Sequence, residues 1–422
     1  MDNLQEALPR ALAPIVEQAL AAFPVVIVTG ARQTGKSTLV QMTPLANGRR
    51  YLSLDDYDLL ERARREPAAL LRESERLTID EVQRATELLR AIKIAVDRDR
   101  TPGRFLLTGS ANLLKLRRVS ESLAGRAIYL TLWPMTAAEQ QAHQAADLID
   151  RLLAADGAEQ ALAGARRSTP ASDWRTLALR GGYPVAALQL DDHQRLLWFD
   201  GYVRTYLERD LQQVATISAL VDFRRLMRLA ALRLGQLCNQ TELGRDAGVS
   251  QPTTHRYLNL LETSYQLVRL PGYAMSRSKR LIKAPKLYWS DTGLAAFLVG
   301  VGAIASDDRL AGAWLENLVL DHLLSWRETR SPRPELFFWR TAAGHEVDFV
   351  VESGRRLLPL EVKAAQRVGL GDAGGLERFL DEHTKAAPFG VILHDGDRFT
   401  QLTQRVIACP VAALFAGGKR AR

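Results

Sequence analysis

Short runs of apolar residues punctuate the first third of the chain, and four of the five end in glycine or acid. Val25-Val26-Ile27-Val28-Thr29 stops at Gly30, and Arg50-Tyr51-Leu52-Ser53-Leu54 stops at Asp55-Asp56. Arg76-Leu77-Thr78-Ile79 runs into Asp80-Glu81, and Arg104-Phe105-Leu106-Leu107-Thr108 into Gly109-Ser110. A fifth run covers residues 127–132. Continuous apolar runs of this length predict strands buried on both faces. Helical periodicity fills the gaps between them, so the pattern predicts a parallel sheet covered on both sides. Ligands of such sheets sit at the carboxyl ends of the strands. Leu and Ala at helical spacing over residues 4–22, interrupted by Pro9 and Pro14, predict a lead-in helix.

From Trp133-Pro134 the pattern turns helical and Ala-rich, and residues 155–172 read as a flexible connector. Gly181-Gly182-Tyr183-Pro184 reads as a turn, and residues 198–214 as a helix carrying Arg204, Tyr206, Glu208, Arg209 and Asp210. Those charges fit a solvated or salt-bridged face. Over residues 223–275 comes a short helix (241–247), the tight turn Gly248-Val249-Ser250, and a second helix (251–261) with Tyr257, Leu258 and Leu261 on its apolar side. That is helix-turn-helix spacing, and the following run Leu267-Val268-Arg269-Leu270 opens a hairpin. After about residue 308 an amphipathic helix, containing Trp314 and Glu316, precedes strands at 337–340, 347–351 and 357–363.

The fold class is therefore α/β. The predicted order is a parallel-sheet domain over 1–135, a helical lid and connector over 136–222, a winged helix over 223–300 and a second α/β domain over 301–422. A chain of 422 residues suits several domains. Two cysteines, Cys238 and Cys409, exclude a disulfide scaffold and a four-cysteine zinc site, and suit a reducing cytoplasm. The first residues carry no basic leader segment and no run is long enough to span a membrane, so no membrane partner is expected. The formal charge of +8 points mildly toward nucleic acid.

Gly30-Ala31-Arg32-Gln33-Thr34-Gly35-Lys36-Ser37, followed by Thr38, spells G-x-x-x-x-G-K-S after a strand and before a helix. This is a phosphate-binding loop. Its glycines let backbone N–H groups face phosphate oxygens. Lys36 supplies a point charge to the β- and γ-phosphates, and the Ser37 hydroxyl would ligate Mg²⁺. Asp80 closes a later strand and would hold the same ion, directly or through water. Glu81 is placed to orient the attacking water and accept its proton. A polar residue at the next strand end, Thr108 or Ser110, would sit beside that water. The alternative there is a plain turn with a helix-capping serine.

On the second helix of the helix-turn-helix, Gln251, Thr253, Thr254, His255 and Arg256 are the expected exposed groups. Arg277, Lys279, Arg280, Lys283 and Lys286 follow at the hairpin. A major-groove reader and phosphate contacts would use such residues. A winged helix that binds protein fits the same pattern. In the last domain, strand periodicity puts Glu361 and Lys363 on one face. With Asp348 on the paired strand and Glu316 upstream, they form the D…E-x-K arrangement of metal-dependent nucleases. Asp348 and Glu361, with Glu316, would bind Mg²⁺ and Lys363 would act on the water. A metal-free inherited fold or a surface ion pair is the competing reading.

Taken together the chain resembles the prokaryotic AAA-type ATPases whose C-terminal domain of unknown function pairs a winged helix with a restriction-endonuclease-like fold. The stretches that carry the resemblance are 29–38, 52–55, 79–83, 107–110, 122–126, 181–184, 202–210, 286–294 and 347–363. The resemblance implies an ATPase fold, ATP with Mg²⁺ as cofactors, and Arg126 near the γ-phosphate, in cis or from a neighbouring subunit. It also implies a homo-oligomer or a partner-regulated protein. The functions to be separated are an ATP-driven enzyme acting on DNA, a nucleotide-switched regulator that binds a protein or operator, and an ATP-dependent nuclease.

Overall fold

The computed structural model describes residues 7–109, 123, 125–143, 146–166, 173–210, 220–276, 278, 280, 284–305 and 310–417. It divides into two compact units, Met1–Pro134 with Thr263–Gln266, and Met135–Glu262 with Leu267–Arg422. The residues expected as lid, winged helix and last domain thus fall in the second unit, except Thr263–Gln266, which belong to the first.

The first unit holds five strands, β1 (Val25–Thr29), β2 (Arg50–Ser53), β3 (Leu77–Asp80), β4 (Phe105–Gly109) and β5 (Ala127–Thr131). All pair in parallel, in the order β2-β3-β4-β1-β5. Period two sorts β1 between two cores. Val25 and Ile27 join Leu52, Ile79, Leu107 and the helices Tyr57–Arg65 and Thr86–Arg98 on one face. Val26 and Val28 join Leu39, Leu106 and the helix Ala13–Ala22 on the other. Thr78, the hydroxyl among the apolar residues of β3, is buried and accepts from Arg49 Nε at 3.1 Å, so it costs the strand no unmet polar group.

The second unit begins with short helices. Residues 155–172, expected as a connector, contain the helix Ala158–Ala165 instead. Buried Ala158, Ala161, Leu162 and Ala165 explain it: alanine at helical spacing builds a small packing face, and it does not act as a flexible spacer here. The segment Gly181-Gly182-Tyr183 is a turn that closes onto Asp291. Gly182 N–H donates to Asp291 Oδ2 at 2.6 Å, and a Cβ on Gly181, at φ +70°, would lie 2.4 Å from Asp291 Oδ1.

Helices Leu220–Ala231, Gln240–Ala247 and Gln251–Thr263 lead into an antiparallel hairpin, β6 (Leu267–Leu270) with β7 (Lys286–Trp289). After β6 the chain bridges from Gly272 to Phe338 and so joins the second sheet. That sheet contains β8 (Glu335–Arg340), β9 (Glu346–Ser353), β10 (Arg356–Lys363), β11 (Gly390–His394), β12 (Thr400–Gln401) and β13 (Val406–Pro410). Its order is β12-β13-β11-β10-β9-β8, with β8, β9 and β10 antiparallel and β10, β11 and β13 parallel. Helix Ala311–Glu328 precedes it and helix Gly374–Glu382 crosses over between β10 and β11. Phe379 is fully buried there, edge-on to Trp339 and against His383. Phe379→Ala should therefore cost the second unit about 3–5 kcal/mol in urea unfolding. A loss below about 1 kcal/mol would contradict this packing.

Candidate functional site

The loop between β1 and the helix Lys36–Gln41 is shaped by its backbone. Gly30 has φ +149° and Gly35 +89°, while Gln33 accepts a left-handed φ of +65°. A Cβ on Gly30 would sit 2.3 Å from the Leu132 carbonyl oxygen, so only glycine fits. Thr34 Oγ1 donates to Ala31 O at 2.9 Å, closing the turn. Arg10 holds the loop from outside, donating to Thr34 O and to Trp133 O at 2.7 Å each. Tyr265, also in this unit, donates its hydroxyl to Thr29 Oγ1 at 2.8 Å and meets Trp133 edge-on. Neither Arg10 nor Tyr265 belongs to a motif, and sequence spacing holds no signal for them.

Lys36 is buried, and its ammonium donates to Ala31 O at 2.7 Å and Gly30 O at 3.2 Å. Burial pulls its pKa down to about 8, against the raising influence of Glu81 and Asp80. Ser37 follows it on the first turn of the helix, with Ala31, Arg32 and Thr38 flanking.

The acidic pair lies at the carboxyl end of β3, beside β1's neighbour β4. Asp80 is buried, and its two oxygens accept from Thr108 Oγ1 and, at 2.7 Å, from Tyr51 Oη. Thr108 also accepts from Glu81 N–H at 3.3 Å. Glu81 sits in a left-handed turn at φ +56°, and its Oε2 accepts from Gln83 Nε2. Of the two residues considered for the strand end, Thr108 is the one seen at the acids. Ser110 lies outside the described residues. Tyr51 was not anticipated; its hydroxyl pKa is raised by burial and by the hydrogen bond to Asp80.

Arg126 is a correction for the cis reading. It precedes β5, whose Ala127 pairs with Val25 at the start of β1. It therefore sits at the amino edge of the sheet, about 15 Å along the strands from the loop. Its Nε is paired with Asp97 Oδ1 at 2.5 Å.

In the second unit, Gln251, His255 and Arg256 are exposed on the helix Gln251–Thr263, and Thr253 is half-buried. His255 pairs with Gln240 Oε1 at 3.2 Å and Asn259 Nδ2 at 2.9 Å. Thr254 is a correction: it is fully buried and donates to Ser250 O at 3.1 Å. There it meets the helix Gln240–Ala247, where a Cβ on Gly244 would lie 2.4 Å from Thr254 Oγ1. Arg280 is a second correction. It is only 9% exposed, forms a two-pronged pair with Glu352 at 2.6 and 3.2 Å, and covers the rings of Tyr273 and Phe337. Arg277, Lys279 and Lys283 lie outside the described residues.

The acids of the last domain do come together. The β9–β10 register, Leu360 opposite Phe349, brings Glu361 beside Asp348. Glu316 arrives from the helix Ala311–Glu328. Lys363 Nζ pairs with Glu361 Oε1 at 2.8 Å. Burial raises the Glu316 carboxyl to about 7 and the Glu361 carboxyl to about 8, with Asp348 adding to both. Their shared neighbour, however, is Lys286 Nζ, at 2.8 Å from Glu316 and 3.2 Å from Asp348. Lys286, expected at the wing, is thus buried among carboxylates. Among the described residues no group of three or more His, Cys, Asp or Glu is disposed to hold a metal ion.

Comparison with known proteins agrees with this layout. Residues 22–141 match the family described as an AAA domain. Residues 171–305 match a domain of unknown function, DUF8612, and residues 311–414 a second, DUF4143. Two relatives, Uncharacterized protein Rv2008c of Mycobacterium tuberculosis (strain ATCC 25618 / H37Rv) and Uncharacterized protein Mb2031c of Mycobacterium bovis (strain ATCC BAA-935 / AF2122/97), are each 33% identical over 355 residues. The match covers 82% of this chain and 72% of each relative. Among solved structures, the Walker-type ATPase PABY2304 of Pyrococcus abyssi is similar over 70% of this chain and 99% of its own, at 14% identity and a TM-score of 0.44. The AAA match spans β1 to β5 with the loop and the acidic pair. The first unit is an AAA-type P-loop domain that binds ATP. No helix among the described residues is long and apolar enough to cross a membrane.

Lys36 generates a test. Its ammonium is half-titrated near pH 8, and triphosphate favours the charged form. ATP binding should therefore take up a proton near pH 8, and affinity should fall as pH rises through that value. Calorimetry in buffers of different ionisation heat reads this directly. Binding with no net proton uptake at pH 8 would contradict the placement of Lys36.

Proposed function

The chain belongs to the same family as the two mycobacterial relatives and carries an AAA domain over residues 22–141, and from that premise we propose that it is a Mg²⁺-dependent ATPase acting on DNA. The observation that carries the hydrolytic reading is Thr108 held between Asp80 and Glu81 at the strand ends beside the loop. Lys36 meets the β- and γ-phosphates. Gly30, Gly35 and the intervening amides line the loop. Glu81 orients the attacking water and takes its proton.

The donor set fits Mg²⁺. Asp80 and Ser37 offer hard oxygens, and Thr108 and Tyr51 fix the Asp80 carboxylate. Bound with ATP, the ion would neutralise charge on the phosphates. Arg126 of one subunit reaching a neighbour's nucleotide would need its Asp97 pair to break, which makes this the weakest of the assigned roles.

The DNA reading rests on the second unit. Helices Gln240–Ala247 and Gln251–Thr263 with the β6–β7 hairpin follow winged-helix order. Gln251, His255 and Arg256 are its exposed polar groups. The order helix, β8–β9–β10, helix, β11 supports a restriction-endonuclease-like fold for the last part. ATP turnover in a cytoplasmic homo-oligomer, or one controlled by a partner, would then drive these domains in repair, recombination, remodelling or defence. A regulator that uses the same helix to bind protein is the second reading.

Glu81→Gln should bind ATP yet turn over about a hundredfold more slowly or worse, as loss of a general base requires. Normal turnover would place the base elsewhere. Arg256→Glu should weaken binding to duplex, branched or single-stranded DNA and flatten its salt dependence. Unchanged DNA binding, or no DNA stimulation of the wild-type ATPase, would favour the protein-binding regulator.

A further inference from the structure

We infer that the Lys286 ammonium is the resident cation of the carboxylate pocket in the second unit, and that this domain works without a divalent metal. The inference is independent of the ATPase reading. Lys286 Nζ lies 2.5 Å from Glu346 Oε1, 2.8 Å from Glu316 Oε1 and 3.2 Å from Asp348 Oδ1. These are ammonium–carboxylate distances. A divalent ion would need the same oxygens at about 2.0–2.6 Å. It would have to share their point of convergence with a positive nitrogen.

The lysine is not a loose surface arm. Lys286 is 2% exposed, opposes Leu270 in the hairpin and bridges to Leu237 on its other side. Its Nζ lies 5.8 Å from the Phe338 ring centre. Most of the other acceptors are taken as well. Asp348 Oδ2 accepts from Val362 N–H at 2.9 Å, and the Tyr288 hydroxyl donates to Glu316 Oε1. Lys363 holds Glu361 Oε1 at 2.8 Å, and Arg340 faces Glu346 at 3.5 Å. Among the described oxygens of this cluster, Glu361 Oε2 is buried with no hydrogen-bond partner, and one such oxygen is a poor shell for a divalent ion.

Four carboxylates, Glu316, Glu346, Asp348 and Glu361, thus face Lys286, Lys363 and Arg340. Charge within the pocket is nearly balanced by the chain's own side chains, as burial of this many acids demands. The D…E-x-K residues are present, yet their geometry serves a fixed ion cluster. In this reading the domain holds its fold or a partner and does not cut phosphodiesters with a metal.

The test is a Mn²⁺ titration of the nucleotide-free full chain, followed by electron paramagnetic resonance and thermal unfolding. Wild type and Asp348→Asn should bind Mn²⁺ alike, with no shift in melting temperature that depends on Asp348. Lys286→Ala should bind additional Mn²⁺ about tenfold more tightly than wild type, and Mn²⁺ should raise its melting temperature. Wild-type Mn²⁺ binding that Asp348→Asn or Glu361→Gln removes would overturn the inference. So would a folded Lys286→Ala that takes up no additional Mn²⁺. If Lys286→Ala fails to fold, the comparison of wild type with Asp348→Asn decides alone.

Discussion

A carboxylate taken out of water must be met by fixed donors or by a cation, and Asp80 is where this constraint organises the first unit. Its oxygens accept from Tyr51 on β2 and Thr108 on β4, so one side chain ties three adjacent strands. The strand order β2-β3-β4-β1 makes this possible, and it also delivers the Gly30 loop next door. The fold and the chemistry meet in the same hydrogen bonds. Weakening the Asp80 cluster would loosen the strand ends and misplace Glu81 together.

The second unit obeys the same constraint in the opposite sense. Asp348 and Glu361 are buried and Glu316 is partly buried, yet they are answered by Lys286 and Lys363, which belong to the chain. The phosphate loop presents a buried Lys36 whose ammonium donates to backbone carbonyls of the loop and whose pKa burial pulls down to about 8. That arrangement is responsive to an incoming anion. The Lys286 cluster already holds its cation among three carboxylates, which suits a rigid scaffold. Two buried lysines in one chain thus differ in what neutralises them, and that difference separates a site for ligand from a structural core.

The sheet of the first unit was legible because its strands are apolar runs, four of which end in glycine or acid, and burial on both faces imposes the apolar runs. The loop and the acid pair were legible because phosphate chemistry restricts residue types at fixed spacing. Arg10, Tyr51 and Tyr265 were not, since they reach the loop from distant positions through side chains alone. Thr254 and Arg280 misled for a related reason. A polar residue on a helix or hairpin can turn inward when its hydroxyl or guanidinium finds a backbone carbonyl or a carboxylate there. Arg126 misled because sequence order does not say which edge of a sheet a residue occupies. Lys286 was placed at a basic tip, and only the pairing of β6 with β7 shows that it enters the acidic core.

The central claim is that the Thr108 hydroxyl sets the acid pair for hydrolysis. Thr108→Val keeps the shape of β4 and removes only that hydroxyl. Its steady-state ATP turnover, measured beside its ATP affinity, tests the claim most directly. The account predicts affinity within about threefold of wild type and turnover lowered about tenfold or more. Turnover equal to wild type would contradict it.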